Sequence, residues 1–144
     1  MHDRQIYSTL TIAGIAPFLA CALLPFAGYE TIDPFGSLEQ LVAGYGLAIL
    51  SFLTGIHWAT QLYSPGKVPM NLFIVSNVIF LFVWLAYAAG GMTMTLLAQV
   101  IAFPVLLLID YRLEKVGMIT RHYLGMRFIA TSVASLSLLL ILVS

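Results

Sequence analysis

Charged residues are scarce in this chain: six Lys and Arg and six Asp and Glu make up 8% of its 144 residues. A soluble globular domain carries about 25% charged residues, and one of this length cannot cover its surface with so few. Hydrophobic residues account for 61% of the chain, so the composition is that of an integral membrane protein. No basic patch is present, which argues against nucleic acid as a partner.

Cysteine is almost absent as well. The single Cys21 excludes an internal disulfide and any metal site built from several cysteines. His2 and His122 lie in the N-terminal tail and the last loop, far along the chain from His57, and no H-x-x-x-H spacing occurs. Because zinc takes several His, Cys or carboxylate ligands, we expect no metal site and no other cofactor.

Long apolar segments are abundant, and five of them are long enough to cross a bilayer core of ~30 Å as helices. Their length and continuous apolar character exclude the alternating strands of a membrane barrel. The sequence therefore predicts an all-α integral membrane bundle of five transmembrane helices, with residues 1–144 forming a single domain. The predicted helices are Tyr7–Ala27, Leu38–Tyr63, Met70–Ala89, Met92–Asp110 and Leu124–Ser144.

The basic residues define an orientation. With five alternating spans, all six Lys and Arg fall on one side of the membrane. The charged residues on the opposite side are all acidic. The positive-inside rule then predicts a cytoplasmic N-terminus and a C-terminus outside. We expect a multi-pass protein of the bacterial inner membrane, or of the mitochondrial inner membrane in a eukaryote, with the lipid bilayer as its first partner.

Small residues line one face of the second predicted helix and leave room for another helix backbone to approach closely. We interpret this face as a helix-packing surface. It comprises Gly44, Ala48, Ser51, Gly55 and Ala59. His57 and Gln61 lie on the other side of the same helix, which leads us to expect a central position for it in the bundle.

Several polar residues fall at similar depth. His57 lies about 9 Å from the inner end of its helix and Asn77 about 10 Å, at ~1.5 Å per residue. Asp110 and Arg127 lie nearer the same surface, and Trp58 sits where aromatic residues anchor at the interface. We expect these residues to form a polar cluster in the cytoplasmic half: His57, Trp58, Gln61, Asn77, Asp110 and Arg127.

Two interpretations of this polar cluster stay open. Polar groups in a bilayer must find partners, so Asp110 with Arg127, and His57 with Asn77 or Gln61, can act as a structural pin. Ionisable residues within the membrane also mark ligand and proton sites, and histidine changes charge closest to neutral pH. The sequence alone does not decide between the two.

The segment G-I-H-W at 55–58, late in the second helix, resembles the F-L-G-G-I-H-W-G type motif of domain-of-unknown-function family 3429. This family of small membrane proteins includes mitochondrial relatives called transmembrane protein 69. The ending is similar too: Asp110, a short polar loop, then Tyr123 and Arg127 opening the last helix. The resemblance implies five helices with short loops and groups His57, Trp58, Asp110 and Arg127 in one shared feature, but it carries no activity.

Three functions fit these observations. The favoured one is a non-catalytic membrane component or assembly factor that works with another membrane protein, because the chain is small, its loops are short and no catalytic constellation stands out. The first alternative is a small-molecule or proton carrier with an inward-facing site around His57. The second is an intramembrane lipid- or quinone-modifying enzyme with His57 as general base.

Overall fold

Four long apolar helices make up most of the computed structural model, which describes residues 3–143. Each of the four is long and apolar enough to cross a membrane. Short connections join them, one of which contains a two-stranded antiparallel hairpin of β1, Thr31–Ile32, and β2, Gly36–Ser37. The helices are α1, Asp3–Leu23; α2, Leu38–Tyr63; α3, Leu72–Lys115; and α4, Arg121–Val143.

The first two helices lie close to their predicted positions. α1 begins at Asp3 instead of Tyr7 and ends at Leu23 instead of Ala27. A 3₁₀ turn, Leu24–Ala27, follows it. Gly28 closes that turn with φ of 94°, a conformation that glycine adopts without steric cost. α2 has its predicted bounds, and the Ser37 side chain caps it by accepting a hydrogen bond from the Gln40 amide.

The third and fourth predicted helices lie within one element, α3. The backbone leaves helical geometry at Gly91, with φ 80° and ψ −173°, at the predicted Gly90-Gly91 break. Both ends of α3 contact the same end of α2: Leu72 N donates to Gln61 Oε1 at 2.8 Å, and Asp110 bonds to a residue one turn earlier in α2. A straight helix would hold Leu72 and Asp110 about 57 Å apart, so the chain doubles back within α3.

The start of α4 lies at this same end of the bundle. Tyr7 near the start of α1 contacts His122 of α4, with 2.8 Å between Tyr7 Oη and His122 Nδ1. Arg121 Nε lies 3.7 Å from Glu114 Oε1 near the end of α3. These contacts, together with the short connection from α2 to α3, gather five basic residues at what we call the basic end: Arg4, Lys67, Arg112, Lys115 and Arg121.

The first half of α3 does not pack by the face that carries Asn77, which was expected in the polar cluster. In the first half of α3 the buried face is the largely aliphatic one, with Leu72, Ser76 and Val83, whereas Asn77 and Trp84 are exposed. Either face can contact lipid, so hydrophobicity does not determine which one is buried. The face with the smaller side chains allows a neighbouring helix to approach more closely. α2 packs on both halves of α3 and also on α1, in keeping with the central position expected for it, whereas α4 packs on α1 and α3.

A buried glutamine joins α2 to the second half of α3. Gln99 is fully buried, and its Nε2 donates to the Ala43 carbonyl at 2.8 Å. The side chain fits because it lies against Gly46, where an added Cβ would overlap the Gln99 amide. This contact fixes the rotation of α3 relative to α2 and thereby presents the later residues of α3 to the cluster described next.

Candidate functional site

Three buried ionisable residues from three helices form one hydrogen-bonded cluster. His57 Nε2 lies 2.7 Å from Asp110 Oδ1, and Arg127 Nε lies 2.8 Å from Asp110 Oδ2. His57 is 2% exposed, Asp110 4% and Arg127 7%. We call His57, Asp110 and Arg127 the buried triad. It joins α2, α3 and α4 at a single carboxylate.

Both hydrogen bonds of the buried triad converge on the Asp110 carboxylate. Arg127 remains protonated and can only donate, so Oδ2 of Asp110 accepts its Nε–H. When Asp110 is ionised, its Oδ1 accepts from Nε2–H of His57, and the carboxylate then neutralises one cation. Nδ1 of His57 is buried and has no hydrogen-bond partner among residues 3–143. A second proton on this imidazole would give the triad a net positive charge.

The other predicted members of the polar cluster lie elsewhere. Gln61 accepts a hydrogen bond from the Leu72 amide and so holds the start of α3. Trp58 is 43% exposed and packs against Phe73 with the two rings tilted by 57° and their centroids 4.5 Å apart. Asn77 is exposed on α3. The partner of His57 is therefore Asp110, in place of the expected Asn77 or Gln61.

The small-residue face of α2 points out of the bundle. Gly44, Ala48 and Gly55 are exposed, and Ser51 and Ala59 are half-buried. A Cβ added at Gly44 or Gly55 would meet nothing within 4 Å. No helix of residues 3–143 covers this face, so its role as a packing surface stays a prediction about a partner.

A cavity of about 510 Å³ lies beside the buried triad, between α1, α2 and α4. We call it the lateral cavity. Arg127 and Thr131, one turn apart on α4, form part of its wall. Both are buried, and Nη2 of Arg127 and Oγ1 of Thr131 have no hydrogen-bond partner among residues 3–143.

Sequence reasoning did not place Gln99, Tyr7 or Thr131 at functional positions. Thr131 had a usable signal, because it follows Arg127 by four residues and shares its face of α4. Tyr7 contacts both His122 and Tyr123, with a ring distance of 5.5 Å to Tyr123, and these long-range contacts have no local signature. Within residues 3–143 no three His, Cys, Asp or Glu side chains are grouped closely enough to hold a metal ion.

The fold and the site together define a class: helical proteins with four candidate membrane helices, minimal loops and a buried His–Asp–Arg triad. The family model described as "protein of unknown function (DUF3429)" matches residues 4–143. The chain belongs to this family, which confirms the resemblance seen in G-I-H-W and in the final helix. Searches of the curated proteins and of the solved structures found no match.

Proposed function

We propose that the chain crosses the membrane five times, with its N-terminus in the cytoplasm (or the mitochondrial matrix) and its C-terminus outside. The reversal at Gly91 supports this, because each half of α3 is long enough to cross a core of ~30 Å. The charges support it too: five of the six basic residues are at the basic end, and Arg127 is the sixth. Positively charged loops favour the cytoplasmic side, here of a bacterial inner membrane or its mitochondrial counterpart.

Labelling of single cysteines tests this topology. In a Cys21→Ser background, a cysteine at Lys115, at the end of α3, should react with a membrane-impermeant maleimide only in inverted vesicles. A cysteine at Glu30, on the opposite side, should react in right-side-out cells. Reaction of both positions from the same side would contradict five spans.

We propose that the protein is a non-catalytic membrane component that binds another transmembrane helix along the small-residue face of α2. One observation carries this proposal: Gly44, Ala48 and Gly55 of that face are exposed, although the spacing of three and four residues along the face suits close helix packing. An opposing helix that approaches such a face closely gains van der Waals contact along its length, whereas lipid gains no comparable packing energy there. The short connections, such as 64–71 and 116–120, leave little extramembrane surface for a partner to bind.

Native mass spectrometry of the tagged full chain, extracted gently from its own membrane, tests the proposal. We expect a stoichiometric complex with a protein partner, either a different membrane protein or a second copy. Gly55→Leu should abolish the complex because the larger side chain separates the helices. Gly125→Leu is the matched control, since Gly125 is also an exposed helical glycine with nothing within 4 Å of an added Cβ.

A bare chain in the wild type, with known complexes preserved in the same extract, would contradict the proposal. Loss of the complex in both glycine variants would also count against it, because the effect would then not be specific to the small-residue face.

The second candidate is a small-molecule or proton carrier centred on His57. Burial of an imidazole against an ion pair, with Nδ1 unpartnered and a cavity adjoining Arg127, favours it. A proton-sensitive dye in proteoliposomes measures it directly. We expect flux between pH 5 and 8 that His57→Gln removes; flux that is equal in both proteins, or absent from the wild type, would exclude this function.

A further inference from the structure

The lateral cavity opens on the side of the bundle. Phe18 and Leu53 in its wall are buried, whereas Leu10 and Phe52, which also line it, are 65% and 66% exposed. Leu10 and Phe52 lie well inside α1 and α2 and not at their ends. In a chain that spans the membrane, an opening at this depth faces the acyl chains of lipids, so the occupant comes from the bilayer and not from water.

The wall of the lateral cavity is mostly apolar, but α4 contributes unused polar atoms. Arg127 hydrogen-bonds Asp110 through Nε alone, and its Nη2 has no partner within the described chain. Oγ1 of Thr131 is likewise buried without a partner among residues 3–143. Both side chains are more than nine-tenths buried and both line the cavity. Buried donors left without acceptors are costly, so a partner entering the cavity would stabilise them.

The chemistry of these groups defines what can bind. A guanidinium has donors and no acceptor, and a threonine hydroxyl can donate, so the occupant must present an acceptor oxygen. The remaining wall, with Phe18, Leu53 and Ala134, suits hydrocarbon. An occupant that satisfies both parts has an apolar chain and a carbonyl, carboxylate or phosphate oxygen at one end.

We infer that the lateral cavity binds a bilayer amphiphile whose oxygen acceptor meets Arg127 and Thr131 and whose chain lies between α1 and α2. A fatty acid, a phospholipid and an isoprenoid quinone share this chemistry. A neutral carbonyl preserves the charge balance between Asp110 and Arg127, whereas an anion adds a negative charge beside that pair. The cavity wall includes none of the small residues of α2, so the two proposals depend on different side chains of that helix.

Photocrosslinking to the full-length protein in nanodiscs tests this inference. Three probes, each with a diazirine in its chain, are used separately: palmitic acid, a phosphatidylglycerol and a short-chain ubiquinone. We expect at least one to label peptides of α1, α2 or α4 that line the cavity, in a saturable manner. The probe that saturates at the lowest concentration identifies the source of the ligand. Excess hexadecane, which has no acceptor oxygen, should not compete.

Two variants distinguish the cavity from general lipid contact. Ala130→Leu adds volume to the cavity wall, replaces no residue of the buried triad, and should abolish saturable labelling. Thr131→Val should weaken binding about fivefold, the usual effect of losing one uncharged hydrogen bond. Ala16→Leu makes the same change as Ala130→Leu at an exposed position outside the cavity and should bind like the wild type.

Three results would overturn the inference: labelling that rises without saturation for all three probes, labelling that survives both Ala130→Leu and Thr131→Val, or competition by hexadecane as effective as by unlabelled probe. Thr131→Val keeps the test decisive if Ala130→Leu does not fold, because it removes only the hydroxyl and retains side-chain volume.

Discussion

The Asp110 carboxylate lies 2.8 Å from Nε of Arg127, and both residues are buried among apolar side chains of α3 and α4. His57 bonds to the other oxygen of the same carboxylate. Asp110 is thus the common partner of two nitrogen donors that come from different helices. The stability of the bundle should therefore depend more on this carboxylate than on either donor.

Asp110→Ala should destabilise the protein strongly, because it leaves the Arg127 charge buried without a counter-ion. Breaking a buried ion pair on one side costs about 3–5 kcal/mol. The loss of stability is measured by thermal unfolding in detergent, followed with a thiol-reactive coumarin maleimide. Cys21 supplies the signal, since it is the only cysteine and is buried in the fold.

The double variant Asp110→Leu with Arg127→Leu is the informative control. Replacing both charges with apolar groups removes the unpaired ion, and such replacements are often neutral or stabilising. We expect it to unfold at a higher temperature than Asp110→Ala. A double variant as unstable as Asp110→Ala would mean that the ion pair is not the origin of the effect.

Gly46→Ala should destabilise the contact between α2 and α3. The added Cβ overlaps the Gln99 amide, and overpacking of this kind costs typically 1–3 kcal/mol. Gly44→Ala is the matched control, because a Cβ there meets nothing within 4 Å. Combining Gly46→Ala with Gln99→Ala should recover part of the loss, and unfolding temperatures that show no such recovery would contradict the assigned contact.

Gly91→Ala should destabilise the reversal within α3. Gly91 has φ 80° and ψ −173°, a region open essentially to glycine alone, and another residue there costs of order 1–3 kcal/mol. Gly125→Ala, in a helix without such a φ value, should be neutral or slightly stabilising. Equal unfolding temperatures for the two variants would argue that α3 does not need the turn at Gly91.

Some features of the fold could be predicted from composition and spacing. The apolar segments and the turn residues between them predicted five helices, of which the third and fourth form the two halves of α3 on either side of Gly91, because a bilayer sets helix length and glycine permits the reversal. The pairing of Asp110 with Arg127 was also among the sequence predictions, and the structure brings the two together. Buried charges need partners, and few others were available at that depth.

Helix rotation could not be predicted in the same way. The sequence placed Asn77 near the depth of His57 and Asp110 at the end of its predicted helix, so depth favoured Asn77 as the partner of His57. α3 instead continues to Lys115, which places Asp110 inside the helix. The answer depends on contacts such as that between Gln99 and the Ala43 carbonyl, which rotate α3 to present Asp110. The face of α3 with Asn77 is exposed for the same reason, since hydrophobicity in lipid gives neither face an advantage.

The most direct test of the proposed partner helix is photocrosslinking from the edge of the small-residue face. Phe52 flanks that face and is exposed, so benzoylphenylalanine at this position keeps an aromatic side chain there. Phe128, exposed on α4, is the matched control. In intact membranes we predict a discrete protein adduct from position 52 and none from position 128. No protein adduct from position 52, or equal adducts from both positions, would contradict the account.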